Sequence, residues 1–255
     1  YLGGLHNTAN GHLHPLNLCI GEAQALAGLG ASIYEQSRVV TIEQGSTPVV
    51  RTEAGSISAN TVILAGNAYM GGLVPKLSQR VLPSASSVIA TSPLSSELAN
   101  ALLPGDVAVC DPRTALDYFR LSADRRLLFG GLSNYTGLEP KNLKEVMHKK
   151  MTHVFPELDS TDVDYAWSGW IGIGINRMPQ LGQLSDNIHY IQAYSGHGVA
   201  PTHMMAKLTA EKIAGESSRF QAMANIPHLA FPGGPLMGRL LLAVGMSYYK
   251  ALDYL

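Results

Sequence analysis

The stretch YIQAYSGHGVAPTHMMAKLTAEKIAG, residues 190–215, indicates the fold class of this 255-residue chain. Its first residues have the apolar composition of a buried strand, and residues 200–214 have the spacing of a helix. Between them lie Gly196 and Gly198, which let the backbone approach a ligand, followed by a helix start whose N–H groups lack intrahelical partners. A tight connection without any ligand has the same composition. Either way, the order of strand, glycine turn and helix predicts an α/β protein.

A second strand of buried type, TVILAGNAY at residues 61–69, also reaches a glycine, Gly66. Between the two strands, residues 79–132 alternate in the manner of antiparallel strands, as in LDYFRLS and RRLLFGGL. This order suggests an α/β layer, an antiparallel insertion and a return to the first layer. We therefore expect residues 190–198 to lie beside residues 61–66, so that both strands open on one crevice, where α/β sheets bind their ligands.

The remaining elements follow from the spacing of apolar residues. Helices are predicted at residues 15–30 and 139–155, and three short strands at residues 31–35, 38–43 and 48–55. No internal repeat or low-complexity tract interrupts them. The chain is long enough for one large domain or two interleaved ones.

Composition narrows the classes of function. The net charge is −1 and charged residues make up 15%, so no basic surface for nucleic acid or an anionic membrane is expected. The chain has no run of about 20 apolar residues and no basic-then-apolar order at its start. Its two cysteines, Cys19 and Cys110, stand in apolar stretches and form no disulfide framework. These features favour a reduced cytoplasmic protein without a membrane partner.

Three separated segments carry a resemblance to a known family: GHLHPLNLCIGEAQALAGLGASIYEQSRVVTIE, ISANTVILAGNAY and AYSGHGVAPTH. In this order they resemble the D-amino-acid oxidase-like flavoproteins, and among them the bacterial enzymes that act on gamma-glutamylputrescine. The resemblance runs to about residue 215. It implies an FAD enzyme that oxidises a C–N bond of a small-molecule amine by hydride transfer to the flavin.

The resemblance also implies the fold and its division into domains. A mixed α/β fold is expected, in which a doubly wound FAD-binding domain contains an inserted substrate domain with an antiparallel sheet. The FAD-binding domain takes residues 1–75 and 183–216, the substrate domain residues 76–182, and a C-terminal extension residues 217–255. Family members begin with a G-x-G-x-x-G unit that grips the pyrophosphate, and GIGINRMPQLG does not qualify because Pro179 stands where a helix should run. The chain is therefore expected to be the C-terminal portion, with the missing N-terminal dinucleotide-binding portion as its partner.

The family pattern assigns the residues that contact FAD. A helix start with free N–H groups favours the negative charge that a reduced flavin carries, so the turn and first helical residues are expected to meet the flavin. A second contact is expected at the end of the strand before residue 68, and Val39 is expected near the adenine. The assigned residues are Gly196, His197, Gly198, Val199, Ala200, Pro201, Thr202, Ala65, Gly66, Asn67 and Val39. An ordinary strand end is the alternative for the second contact.

The segment WSGWIGIGINRMPQLG bears on the substrate. Relatives that oxidise α-amino acids carry an arginine two residues after its first glycine, and that arginine clamps the substrate carboxylate. This chain has Ile171 there, and the family's aspartate near the end of the segment is replaced by Asn176. An aliphatic side chain cannot replace a bidentate guanidinium. We therefore expect an amine without a carboxylate on the reacting carbon.

Further side chains complete the predicted active site. Trp170 either lines the site or belongs to the core. Tyr118 and Arg120 share one face of a strand, with Phe119 on the other, so Tyr118 could flank the amine and Arg120 could bind a distant carboxylate. A surface cross-strand pair is the alternative for these two.

Several other interpretations remain open from the sequence. His197 could act as a general base, or simply cap or pack in its turn. A metal site formed by His6, His12 and His14 is not expected, because no cysteine or carboxylate joins them at ligand spacing. The alternatives to amine oxidation by this chain are an inactive fragment, a subunit that depends on a partner chain, and an oxidase of another secondary amine such as sarcosine.

Overall fold

The computed structural model describes residues 3–113, 116–134 and 141–233, together with residues 237 and 244. These residues form three sheets with helices packed against two of them. In the part of the chain described, no helix is both long enough and apolar enough to cross a membrane.

The chain begins with a helix and a small sheet. Helix α1 (Pro15–Gly28) starts at a proline, which is over-represented at the first position of helices. The ring Nδ1 of His14 caps the helix by accepting a hydrogen bond from the N–H of Asn17 at 3.3 Å. None of the residues of α1 is buried. The first sheet follows, with antiparallel strands β1 (Val39–Glu43), β2 (Val49–Thr52) and β3 (Ser56–Ser58).

The second sheet contains both predicted glycine-ended strands. Strand β4 (Val62–Leu64) is followed by a 3-10 turn (Asn67–Tyr69) and the short helix α2 (Pro75–Ser78).

The third sheet is the antiparallel insertion and comes next along the chain. Its elements are β5 (Leu82–Thr91), α3 (Ser96–Leu102), β6 (Val109–Cys110), β7 (Tyr118–Leu121), β8 (Leu127–Asn134), α4 (Leu143–Val154), a 3-10 turn (Pro156–Leu158) and β9 (Val163–Ile173). The strand order is β6-β7-β8-β5-β9, so β9 lies at an edge.

One face of this five-stranded sheet forms a hydrophobic core. Residues on alternate positions point to the same side of a strand, so Ile89, Phe119 and Phe129 share this face and are buried. Met147 and Met151 of α4 pack on them and are fully buried. The opposite face carries Tyr118, Arg120 and Ile171 and is only partly buried, which leaves it available to a ligand.

The chain then returns to the second sheet through β10 (Gln180–Ser185) and β11 (Ile188–Gln192), followed by α5 (Val199–Ile213) and α6 (Ser218–Ala224). Strand β11 pairs in parallel with β4, with Ile188 opposite Val62 and Tyr190 opposite Leu64. This confirms the predicted juxtaposition of the two glycine-ended strands. All five residues of β11 are buried, because α5 and α6 cover one side and Leu77 and Leu64 pack on the other.

A buried ionic cluster holds the beginning of β7. Arg113 donates from Nε to Asp111 Oδ2 at 2.7 Å and from a terminal nitrogen to Asp117 Oδ2 at 2.6 Å. Lys150 of α4 donates to Asp117 Oδ1, also at 2.6 Å. Both carboxylates are buried, and the N–H of Asp111 donates to the carbonyl of Asp117 at 3.0 Å. The cluster therefore fixes the position of Tyr118, the next residue.

This cluster predicts how the stability changes with pH. Burial raises the pKa of Asp111, but hydrogen bonds from Arg113 and the backbone outweigh burial and hold it below its usual value. The ionised Asp111 carboxylate therefore stabilises the folded state fully above the unfolded pKa of about 3.9. This contribution is lost as the pH falls from there through the lower pKa of the folded state. Urea unfolding should show the wild type losing about 1 kcal/mol relative to Asp111→Asn between pH 6 and pH 3, because pH 3 lies only about one pKa unit below the unfolded value. Equal losses in both proteins would contradict this prediction.

Several predicted elements differ from the structure. Residues 31–35 are not a strand, because they have no hydrogen-bonded neighbour strand and leave Ile33 and Tyr34 exposed. Helix α3 lies where only strands and turns were predicted; Ser95 caps it by accepting from the N–H of Leu98 at 3.1 Å. The helix predicted at residues 139–155 runs from Leu143 to Val154, and residues 139–140 lie outside the described part. Both cysteines are exposed rather than in apolar surroundings.

Candidate functional site

The site lies where β4 and β11 end, at the same edge of the second sheet. Because these strands are parallel, the turn at residues 65–67 and the turn at residues 193–198 leave the sheet side by side. Ala65, Gly66, Gly196 and His197 are exposed there. The backbone of both turns is therefore accessible to a ligand.

Asn67 ties these two turns to the third sheet. Its backbone is in the left-handed region (φ 45°), and its Oδ1 accepts a hydrogen bond from the N–H of Ala193 at 2.9 Å. The same oxygen lies so close to Gly172 of β9 that a Cβ at that position would be only 2.2 Å away. The Asn67 side chain, which follows β4, therefore contacts both β9 and the turn after β11. It contributes packing between these segments rather than an exposed group for ligand binding.

The second turn has an unusual backbone. Ala193, Ser195 and Gly196 all have positive φ, at 62°, 53° and 92°, and such conformations are costly for residues other than glycine. The N–H of Ser195 donates to the carbonyl of Gly172 at 2.8 Å, which holds the turn against β9. Strained backbone that the surroundings hold in place is typical of ligand-binding turns.

Helix α5 begins at the end of this turn and adds hydrogen-bond donors. Gly198 precedes the helix. As at the start of any α-helix, the N–H groups of Val199 and Ala200 have no intrahelical acceptor, and among the described residues no side chain caps this first turn. Pro201 has no N–H to offer, and the hydroxyl of Thr202 is bonded to the carbonyl of Val199 at 2.8 Å. The positive end of the helix dipole and these free donors suit an anionic ring edge.

These residues fit a flavin. Among the described residues, a Cβ built on Gly196 would meet only the Cδ1 of Ile171, at 3.7 Å, and one on Gly198 would meet only Tyr194, at ordinary contact distance. Open glycines, exposed backbone and an uncapped helix start are what close approach of a planar, electron-accepting ring requires. Behind the turn, burial raises the pKa of Tyr194 to about 12, so its phenol stays neutral.

Ile171 belongs to the same site. It lies on β9, and its side chain is the nearest neighbour of the open position at Gly196. The strand register places Ser84 opposite Ile171 and Ser86 opposite Gly169 on the same face. The residue predicted to replace the substrate-clamping arginine therefore borders the turn predicted to meet the flavin.

Tyr118 and Arg120 lie farther along the same face. The ring of Tyr118 passes over Gly130, where a Cβ would be 2.0 Å from the ring, and its hydroxyl lies 3.1 Å from the Oγ of Ser86. Burial raises the pKa of Tyr118, and the hydrogen bond with Ser86 partly opposes this. Arg120 is half-buried and donates to the carbonyl of Leu121 at 3.0 Å. Alternation along β9 puts Trp170 on the other face, opposite Ala85.

Val39, which is predicted near the adenine, and the histidines for which no metal site is expected do not belong to these two turns. Val39 begins β1 in the first sheet, apart from the two turns. Among the histidines, the ring Nε2 of His12 lies 2.8 Å from the carbonyl oxygen of Asp106, and His14 caps α1. In the described ranges, no group of three or more potential metal ligands comes together.

Sequence reasoning missed Tyr69, which closes the 3-10 turn after β4. Its hydroxyl accepts a hydrogen bond from the N–H of Trp170 at 2.9 Å. The only indication in the sequence is that Tyr69 ends the quoted segment TVILAGNAY. Which strand the tyrosine would meet depends on how the third sheet packs, 101 residues farther along the chain.

Comparison with known proteins agrees with this geometry. The chain is 44% identical to the gamma-glutamylputrescine oxidoreductase of Escherichia coli K12 over 100% of its own length and 60% of the relative. It is 39% identical to the probable oxidoreductase OrdL of Haemophilus influenzae over 99% of its length and 59% of the relative. The chain thus spans about three-fifths of the length of these curated relatives.

Solved structures show the same fold. The glycine oxidase of Geobacillus kaustophilus aligns with a TM-score of 0.65 and 19% identity, covering 78% of this chain and 54% of that protein. The L-proline dehydrogenase of P. horikoshii aligns with a TM-score of 0.65 and 17% identity, covering 81% and 57%. The model of the FAD dependent oxidoreductase family, DAO, matches residues 1–212. The chain therefore belongs to the FAD dependent oxidoreductase family.

Proposed function

We propose that the protein oxidises a C–N bond of an amine with FAD as the electron acceptor, and that its substrate is gamma-glutamylputrescine. FAD, when bound, supplies the two-electron oxidation, and the chain's own residues bind and orient the amine. The relative that is 44% identical carries this substrate in its name. That a portion outside this chain grips the pyrophosphate stays a prediction.

The observation that carries the proposal is the contact between Ile171 and the Gly196 turn. The isoleucine Cδ1 lies 3.7 Å from the position of a Cβ on Gly196, so an aliphatic group borders the place where the reacting carbon would lie. A carboxylate attached to that carbon would lose its hydration without gaining a partner there, at a cost of several kcal/mol. Ile171 thus favours a primary amine at the end of an aliphatic chain over an α-amino acid.

Arg120 supports a substrate with a distant carboxylate. Burial lowers the pKa of Arg120, partly offset by the charge of Asp106, and in the described ranges no carboxylate forms an ion pair with it. A guanidinium in this setting gains from an anionic ligand, since its charge is partly desolvated and not neutralised within the protein. Its side chain projects from the same face of the sheet as Ile171.

The test compares substrates on the protein expressed from its native reading frame. We expect kcat/KM for gamma-glutamylputrescine to exceed that for glycine and for sarcosine by about a hundredfold or more, as several kcal/mol imply. Putrescine, which lacks the distant carboxylate, serves as the control and should fall between them. A sarcosine value equal to that of the polyamine derivative would favour oxidation of another secondary amine. If the protein oxidises none of these compounds, it is better interpreted as an inactive fragment or as a subunit that depends on a partner chain.

A further inference from the structure

Tyr69 occupies a place that the proposed function does not yet use. Its side chain is 70% exposed, although its hydroxyl is held by the N–H of Trp170 at the free edge of β9. The same hydroxyl oxygen is 3.9 Å from the position that a Cβ on Gly169 would take. Tyr69 therefore projects from the cofactor-side turn over the edge of the substrate sheet, two residues from Ile171.

The hydrogen bond with Trp170 fixes the role of the phenol. The N–H of Trp170 is a donor, so the Tyr69 oxygen accepts there and its own proton remains available. Among the described residues, the only polar partner that this hydroxyl has is that N–H. The proton can therefore be donated to a group lying above Gly169.

The other side of this space is formed by Tyr118. Its hydroxyl is bonded to Ser86, and Ser86 lies directly opposite Gly169 in the sheet. In the part of the chain that the structure describes, a Cβ on Gly169 would touch only the Tyr69 hydroxyl, so the glycine leaves an open space between the two phenols. The described residues paired around Gly169 on this face include no carboxylate that could hold an ammonium group.

We propose that the Tyr69 hydroxyl donates a hydrogen bond to the neutral amine nitrogen of the substrate in the space over Gly169, opposite Tyr118. This assignment rests on the proposed amine substrate. A donor aimed at the nitrogen lone pair favours the neutral amine over the ammonium ion, and the neutral form is the one that can be oxidised. The residue positions the amine next to Ile171 and takes no proton from it.

The experiment measures binding without turnover. Gamma-glutamylputrescine is titrated by calorimetry into the reduced holoprotein, which cannot oxidise it, and gamma-glutamyl-n-butylamide is the matched ligand without the amine. Tyr69→Phe should weaken binding of the amine ligand about three- to tenfold and leave the butylamide unchanged, because one neutral hydrogen bond is lost. Binding of the amine by the wild type should tighten as the pH rises toward 10, where more of the amine is neutral.

Two glycine variants and one tyrosine variant complete the design. Gly169→Ala should weaken both ligands, since its methyl group fills the space at ordinary contact distance without displacing the chain. The controls are Gly55→Ala, where a Cβ meets no described residue within 4 Å, and Tyr34→Phe, which removes a phenol of similar exposure at 68%. Both controls should bind like the wild type.

Two results would overturn the assignment of Tyr69. One is that Tyr69→Phe weakens both ligands equally, which indicates a purely structural link to β9. The other is that the wild type binds the amine more tightly at low pH, which indicates an ammonium ligand. If neither ligand binds the wild type, the proposed substrate is wrong, and the assignment falls with it.

Discussion

Replacing Ile171 with arginine is expected to erode most of the substrate preference of the protein. The new guanidinium would stand beside the open position at Gly196, where Ile171 Cδ1 now lies 3.7 Å away. It could pair with a carboxylate on the reacting carbon, and bidentate pairs of this kind are among the strong hydrogen-bonded contacts. We expect kcat/KM for glycine relative to gamma-glutamylputrescine to rise by about a hundredfold, corresponding to about 3 kcal/mol.

A neighbouring isoleucine provides the control for this experiment. Ile175→Arg adds the same charge four residues later, in the turn after β9, where the native side chain is already 43% exposed. This variant should keep the wild-type preference, because Ile175 lies beyond the end of β9, whereas Ile171 is the side chain that borders Gly196. If both variants shift the preference equally, a general charge effect explains the result. If Ile171→Arg shifts nothing, Ile171 does not border the reacting carbon.

Replacing Gly172 with alanine is expected to cause a large loss of stability. Gly172 is buried, and the added Cβ would lie 2.2 Å from Asn67 Oδ1 and 2.9 Å from Val81 Cγ1. Asn67 would have to move, and its hydrogen bond from the N–H of Ala193 would be lost. We expect the free energy of unfolding to fall by about 2–4 kcal/mol, from overpacking and the unpaired N–H group together.

Urea denaturation measures this loss, and a second substitution tests its cause. Asn67→Gly removes the clashing side chain and suits the left-handed backbone at φ 45°. The double variant should therefore be less destabilised than the sum of the two single variants by about 1 kcal/mol or more. Gly55→Ala, which meets no neighbour, should remain close to the wild type. Strict additivity of the two substitutions would show that the Gly172 effect does not act through Asn67.

The predicted juxtaposition of the two glycine-ended strands could be read from local sequence. Strands β4 and β11 are short apolar runs that end near glycines, and the alternating insertion between them implies a return to the first layer. Local spacing also placed Tyr118 and Arg120 on the face opposite Phe119, as the structure shows. The predictions of strands and turns at α3 and of a strand at residues 31–35 were wrong, because the outcome there depended on a helix cap and on whether a neighbouring strand was present.

By itself, then, the sequence determined the fold class, the parallel pair that carries the two turns, and the replacement of the expected arginine by Ile171. Only the tertiary structure decided that Ile171 meets Gly196, that Asn67 joins β9 to the turn after β11, and that Tyr69 reaches Trp170. These contacts depend on the register of β9 against β5, and a slip of one residue would move Ile171 to the opposite face. Register and sheet packing arise from many side chains far apart in the chain, so no local pattern contains them.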